Sequence, residues 1–404
     1  MKVKLGPLHF DGSNKKGIRL FDWLLIIGLS LAPMTGLRIW KVGPAELLCL
    51  LWGLKHIAGL KLKLTSTFRF FAAFLIALAI GSVIGFVVAR NELRLTDFLT
   101  WIFLALIAVS MHEGLGKNTP EYNEKLFYAF ACTALLVQVF LYVYSLYVSK
   151  EFFGAPLWYH DVRYSGGAEN PHQVAVMATG VLFVFLHRAL RYERFLVNLA
   201  FAGAAMFILL QTTSSTGIMA VAVGAASLVY FRIATISSKR MRFPYMLLLT
   251  IAIGLITVVF YEKIKTFIIE WIRDDANGEG RIEIFSSIGT AFLKSPFFGL
   301  GPGVHGIDGT IEFHNAYLEI IAATGIVGVI VFTLYTVRIV KDIWHADWTL
   351  MPILVSVYAY SASGFAMRRL VYWGVLLFAV VIAEGRNREG ESCTYLLPSG
   401  RTDR

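Results

Sequence analysis

Hydrophobic positions along this chain gather into unbroken runs rather than alternating with polar ones. Phe70–Ala89, Phe195–Leu210, Met246–Tyr261 and Leu370–Ala383 are examples. A bilayer core about 30 Å thick takes roughly 20 helical residues to cross. In lipid a backbone must satisfy its own hydrogen bonds, so such runs are helices. Breaks rich in charge, glycine or proline divide the chain into candidates at 18–34, 43–56, 70–89, 96–111, 125–147, 173–189, 195–212, 216–234, 244–262, 315–337, 347–364 and 370–385. The second is short enough to be tilted or partly re-entrant, and Thr212–Ser215 alone joins the seventh to the eighth.

The expected fold is therefore all-α, a polytopic membrane helix bundle of about twelve transmembrane helices. Residues 1–404 read as a single integral membrane domain with two long outer loops, 149–172 and 262–314, the larger mostly helical. In that loop Ile264, Phe267, Ile268 and Trp271 recur at helical spacing, and Ile282–Leu293 reads as an amphipathic or interfacial helix. No inverted repeat and no pair of broken helices marks the chain as a secondary transporter.

Composition sharpens this. The chain is 57% hydrophobic and 16% charged, against about 25% charged in soluble proteins. The net charge of +10 would suit nucleic acid, but no basic stripe carries stacking aromatics outside the spans. Most lysines and arginines instead fall in segments that would be inside if the N-terminus is cytoplasmic, as the positive-inside rule requires. Both termini are thus expected in the cytoplasm and both long loops outside. Trp40, Trp101, Trp158, Trp271 and Trp348 fall near predicted helix ends, as an aromatic belt would place them. Cys49, Cys132 and Cys393 are far apart, with no metal-ligand spacing and no expected disulfide. The first apolar run, Leu20–Met34, reads as an uncleaved anchor.

Candidate chemistry collects in the outer loops. His314 stands where a glycine-rich loop becomes a membrane helix, and an imidazole with its ordinary pKa near 6.5 accepts a proton at neutral pH; an interfacial histidine bonded to a loop carbonyl is the plain alternative. Arg281 and Arg163 lie outside, beside or near glycines, and a guanidinium fork suits phosphate oxygens. Arg273 is better placed for lipid headgroups. Glu319 sits one turn into a membrane helix on the face of Asn315, as a functional group or as the partner of a neighbouring helix. Glu46, Arg368 and Arg369 are weaker candidates. Asp274–Glu279 does not match a calcium loop and reads as a solvated turn, so no metal is expected.

Three segments, in order, resemble the bacterial O-antigen ligase and O-antigen polymerase family. They are Arg163–Gln173, with its Asn170-Pro171-His172; Gly280-Arg281 followed by Lys294–Gly303; and His314-Asn315-Ala316-Tyr317 running to Gly325 and Gly328. Order, spacing and topology agree over roughly residues 155–385. Where family members often carry Ser-Arg in the short turn after the seventh helix, this chain has Thr213-Ser214-Ser215-Thr216-Gly217. That removes one phosphate-binding arginine and tilts the expectation from ligase toward polymerase.

The resemblance implies a membrane glycosyltransferase of the bacterial inner membrane, without cofactor or metal. It would transfer a glycan from an undecaprenyl-diphosphate carrier to an acceptor sugar hydroxyl on the periplasmic face, inverting the anomeric centre. A polymerase would extend another lipid-linked glycan; a ligase would use lipid A–core. His314 would be the base or the hydroxyl-orienting group, with Arg281 catalytic and diphosphate-binding, Arg163 diphosphate-binding, and Asn315, Tyr317 and Glu319 supporting or orienting the acceptor. His160, His172 and His305 carry no assigned role. A chain-length regulator protein is an expected partner, nucleic acid is not. A lipid or glycan transporter is the reading from another class; it predicts charges along a midplane path.

Overall fold

The computed structural model describes residues 17–39, 42–57, 64–88, 95–192, 194–236, 238–259, 261–263, 265–266, 269, 286–303, 313–362, 364 and 366–390. Arg281 lies outside the described residues, as do Trp40, Ile264, Phe267, Ile268, Trp271, Arg273, Asp274–Glu279, His305 and Cys393.

Each predicted apolar segment is occupied by a helix. In order these are α1 (Asp22–Leu31), α2 (Pro44–Ile57), α3 (Ser66–Val88), α4 (Leu95–Leu115), α5 (Pro120–Tyr147), α6 (His172–Arg191), α7 (Phe195–Gln211), α8 (Ser215–Ala234) and α9 (Lys239–Val259). After a short α10 (Ile288–Lys294), which occupies the described part of the expected Ile282–Leu293 helix, come α11 (Ala316–Ala346), α12 (Met351–Ser361) and α13 (Leu370–Arg388). Seven of the described helices, α3, α4, α5, α6, α8, α11 and α13, are long and apolar enough to cross a membrane. The chain is an all-α polytopic membrane bundle.

The starts of these helices are written locally. The Thr119 side chain accepts from Tyr122 N and Pro120 occupies the first turn of α5. An accepting hydroxyl and a residue with no N–H together settle the orphan amides of that turn. Which spans are central follows from composition. α3, the most apolar of the seven, has 33% of its most apolar stretch buried, while α13, the least apolar, has 89%. Lipid is as apolar as leucine, so apolarity does not draw a helix inward; packing and polar contacts do. Trp373 and Phe378 of α13 accordingly sit buried against Phe70, Phe71 and Phe127.

The helices run between two polar ends. Near the first described residues Arg19 Nη2 donates to Asn118 Oδ1 at 2.9 Å, and near the last Arg388 Nη2 donates to Gly116 O at 3.4 Å. Both described termini therefore share the α4–α5 end. That end holds a buried charge network. Arg386 pairs with Glu124 and Asp347, and Arg191 reaches Asp347 at 2.6 Å.

The opposite end carries the loop before α6, which differs from expectation. It folds into two small hairpins, β1–β2 (Glu151–Phe152, Ala155–Pro156) and β3–β4 (Trp158–Tyr159, Arg163–Tyr164). Tyr164 is fully buried and donates to Gln138 O of α5 at 2.9 Å. Gly36 N donates to Gly167 O at 2.9 Å, fixing the loop over the α1–α2 turn. The aromatic-belt reading fails at Trp101, which is 5% exposed and packs on Phe74 in the core.

Candidate functional site

The turn between α7 and α8 is held in an unusual conformation. Thr213 has φ +50°, uncommon for a β-branched residue. Ser214 then caps α8, its hydroxyl accepting from Gly217 N at 3.2 Å. This puts the positive end of a twenty-residue helix at the polar end of the bundle.

Arg163, on β4, comes to this turn. Its Nε donates to Thr212 O at 3.1 Å, and its terminal nitrogens have no other protein partner among the described residues. Arg163 thus reaches the α7–α8 turn from the preceding loop. His172 comes to the same place from the first turn of α6: Nδ1 lies 3.1 Å from Ser214 Oγ and 3.2 Å from Tyr360 Oη. The Tyr360 hydroxyl also donates to His172 O at 2.9 Å, and so pins α12 to α6.

Two residues beyond Tyr360, Ala362 O accepts from Asn315 Nδ2 at 2.7 Å. Asn315 is the N-cap of α11; its Oδ1 accepts from Tyr317 N at 3.0 Å and Leu318 N at 3.1 Å. One side chain therefore closes the helix start and ties it to α12. The half-buried His314 immediately precedes it with φ +48°, a left-handed conformation in which histidine is among the enriched residue types. The position of its backbone is fixed on one side by the Asn315 cap.

Tyr317 and Glu319 turn toward protein. Tyr317 Oη donates to Tyr358 O at 2.8 Å, and buried Glu319 pairs with Arg368. Arg368, a weak candidate from sequence, is thus a partner of Glu319 from the short turn before α13. Glu46 is likewise paired with Arg38 and accepts from Gly43 N at 2.9 Å. In the loop before α6, His160 and Asp161 form a left-handed turn. The Lys150 ammonium, bonded at 2.8 Å, holds the Asp161 carboxyl below the usual carboxylate range.

Arg163, Thr212, Ser214, His172, Tyr360, Ala362, Asn315 and His314 thus follow one another, through contacts or along the chain, across a single end of the bundle. Tyr360 was not singled out by its residue type; only its tertiary partners mark it. His172 lay in a motif without an assigned role. The pairing of His314 with Arg281 falls outside the described residues.

No curated protein matches the chain. Residues 199–333, which hold the Thr213 turn, α8 and the His314–Glu319 start of α11, match the family model described as O-antigen ligase. Over that segment, about a third of the chain, the protein is similar to the O-antigen ligase family.

Proposed function

We propose that the Arg163–His314 end of the bundle is the active site of a membrane glycosyltransferase. It moves a glycan from an undecaprenyl-diphosphate carrier to a sugar hydroxyl at the periplasmic face of the inner membrane, with both termini in the cytoplasm. The observation that carries this reading is the delivery of the Arg163 guanidinium to the N-terminus of α8. Guanidinium and helix N-terminus both favour an anion such as a diphosphate. The family match gives the diphosphate its context.

The chemistry is a single displacement. The acceptor hydroxyl oxygen forms a bond to the anomeric carbon from the face opposite the carrier. The bond from that carbon to the diphosphate oxygen breaks, its electron pair leaving on the phosphate, and the configuration inverts. The hydroxyl proton passes to the His314 imidazole, a step worth about 10²–10⁴-fold. Charge growing on the leaving diphosphate is met by Arg163, the α8 N-terminus and Arg281, so the reaction proceeds without a metal. Asn315, Tyr317 and the Glu319–Arg368 pair hold the His314 helix in place.

The first acceptor proposed is another lipid-linked glycan, making the enzyme a polymerase; lipid A–core, making it a ligase, is the alternative. Incubation of the reconstituted protein with a lipid-diphosphate glycan, with and without lipid A–core, tests this. Laddered product without core supports the polymerase, and product only with core makes it a ligase. Absence of transfer in both arms would contradict the glycosyltransferase reading itself. A chelator added to either arm is expected to leave the rate unchanged.

A further inference from the structure

α11 is one helix by pattern, yet it is interrupted. Gly325 has φ +60° and ψ −158°, which no helix contains. In a continuous helix Ile326 N and Val327 N would donate to Ala322 O and Ala323 O. Instead Leu300 N donates to Ala322 O at 2.7 Å and Gly301 N to Ala323 O at 2.9 Å. Reciprocally, Ile326 N donates to Pro296 O at 2.9 Å and Val327 N to Phe297 O at 3.1 Å. The two helical bonds lost at the break are replaced by four to one short segment, Pro296–Gly301. That segment is spliced into the helix like a splint.

Close backbone approach makes the joint possible. A Cβ on Gly325 would lie 2.5 Å from Phe297 C, and one on Gly299 2.4 Å from Ala323 C. On the far side α3 supplies two glycines. A Cβ on Gly81 would lie 2.6 Å from both Ala323 O and Phe298 O, and one on Gly85 2.2 Å from Leu300 O. Three backbones thus meet where no side chain fits between them. Gly325 is about 15 Å along the helix from Asn315, roughly half the thickness of a bilayer core. There an unpaired backbone group costs several kcal/mol, so the splint cannot leave without stranding four groups.

We propose that this spliced joint is the positioning device of the active site, with Gly325 and Gly85 as positioning residues. The break frees the outer half of α11, Ala316–Thr324, from the axis of the inner half. That half-helix begins at His314 and Asn315, and its direction decides whether Asn315 meets Ala362 and Glu319 meets Arg368. The splint also lies within the outer loop that carries Arg281, between Arg281 and His314 in sequence, so one joint ties that loop to the helix that the imidazole precedes. This inference rests on the role given to His314 above.

Gly85→Ala and Gly325→Ala, purified and reconstituted, test it by steady-state transfer together with amide exchange at Leu300, Gly301, Ile326 and Val327. Alanine keeps α3 helical but presses on Leu300 O, leaving the sequence of α11 untouched. Exchange at the four amides is expected to quicken and kcat to fall by about 10²-fold, the scale of an ångström-sized misplacement. KM for the lipid-linked donor should stay within about twofold, since donor contacts are not removed. Gly203→Ala, at a helix position with nothing within 4 Å, should change neither readout. Should Gly325→Ala fail to insert, Gly85→Ala decides. Quickened exchange with kcat within about twofold of wild type overturns the proposal. An active His314→Ala protein would sink the glycosyltransferase reading instead, whereas an inactive His314→Ala beside a fully active Gly85→Ala sinks only the joint.

Discussion

At the scale of single residues, the site is built from side chains that each do two things. Asn315 caps α11 and holds α12 by the same amide group. Asn315→Ala should cost about 1 kcal/mol for the lost cap, seen as a lowered unfolding midpoint, and should also reduce transfer because the His314 helix loses its tie to Ala362. Arg163 spends one nitrogen on Thr212 O and presents the rest of its fork. Arg163→Ala is expected to lower kcat by about 10²–10³-fold. Arg163→Lys should recover little of this, since an ammonium cannot both bond Thr212 O and span a diphosphate; full recovery by lysine would reduce the role to point charge. His314 and Asn315 were legible in the sequence because a polar pair opening an apolar run is a local signal. Tyr360 was not, because nothing in Ala359-Tyr360-Ser361 distinguishes it until α6 and α8 are packed beside it.

At the scale of elements, apolar length was enough to locate the helices, since lipid leaves few alternatives to a helix. Connections were harder. The loop before α6 carries enough aromatic and glycine residues for hairpins, but its anchors, Gln138 and Gly36, are on other elements. The break in α11 was hidden for the same reason: a glycine inside a long apolar helix is commonplace, and what makes Gly325 a joint is a partner segment 24 residues or more away. The α7–α8 turn makes a prediction at this scale. A left-handed β-branched residue costs roughly 1–3 kcal/mol, so Thr213→Gly should raise the melting temperature. Transfer should fall at the same time, because the turn that receives Arg163 is loosened. A stabilised variant with undiminished transfer would show that the strained turn serves only the chain reversal.

At the scale of the whole molecule, the two ends have different work. The end shared by the described termini is a clamp: Arg386, Glu124 and Asp347, each no more than 3% exposed, join α5, the end of α11 and α13. Removing one partner of a buried pair typically costs about 3–5 kcal/mol. Arg386→Met should therefore lower stability strongly, while the protein that does fold transfers glycan at the wild-type rate. A selective loss of rate at wild-type stability would mean that this end takes part in the reaction. The basic residues that gave the sequence its +10 charge are partly used in this clamp, which no count of charges could show. The charged and polar groups described here lie at the two ends of the bundle rather than along its middle, an arrangement that favours surface chemistry over passage through the bilayer.

In the proposed mechanism an imidazole at the start of α11 takes the proton of an attacking sugar hydroxyl. Single-turnover transfer from a labelled undecaprenyl-diphosphate glycan by lipid-reconstituted His314→Ala measures it most directly. The account predicts a correctly folded protein that still binds the donor but transfers about 10²–10⁴-fold more slowly. Transfer at the wild-type rate would contradict it.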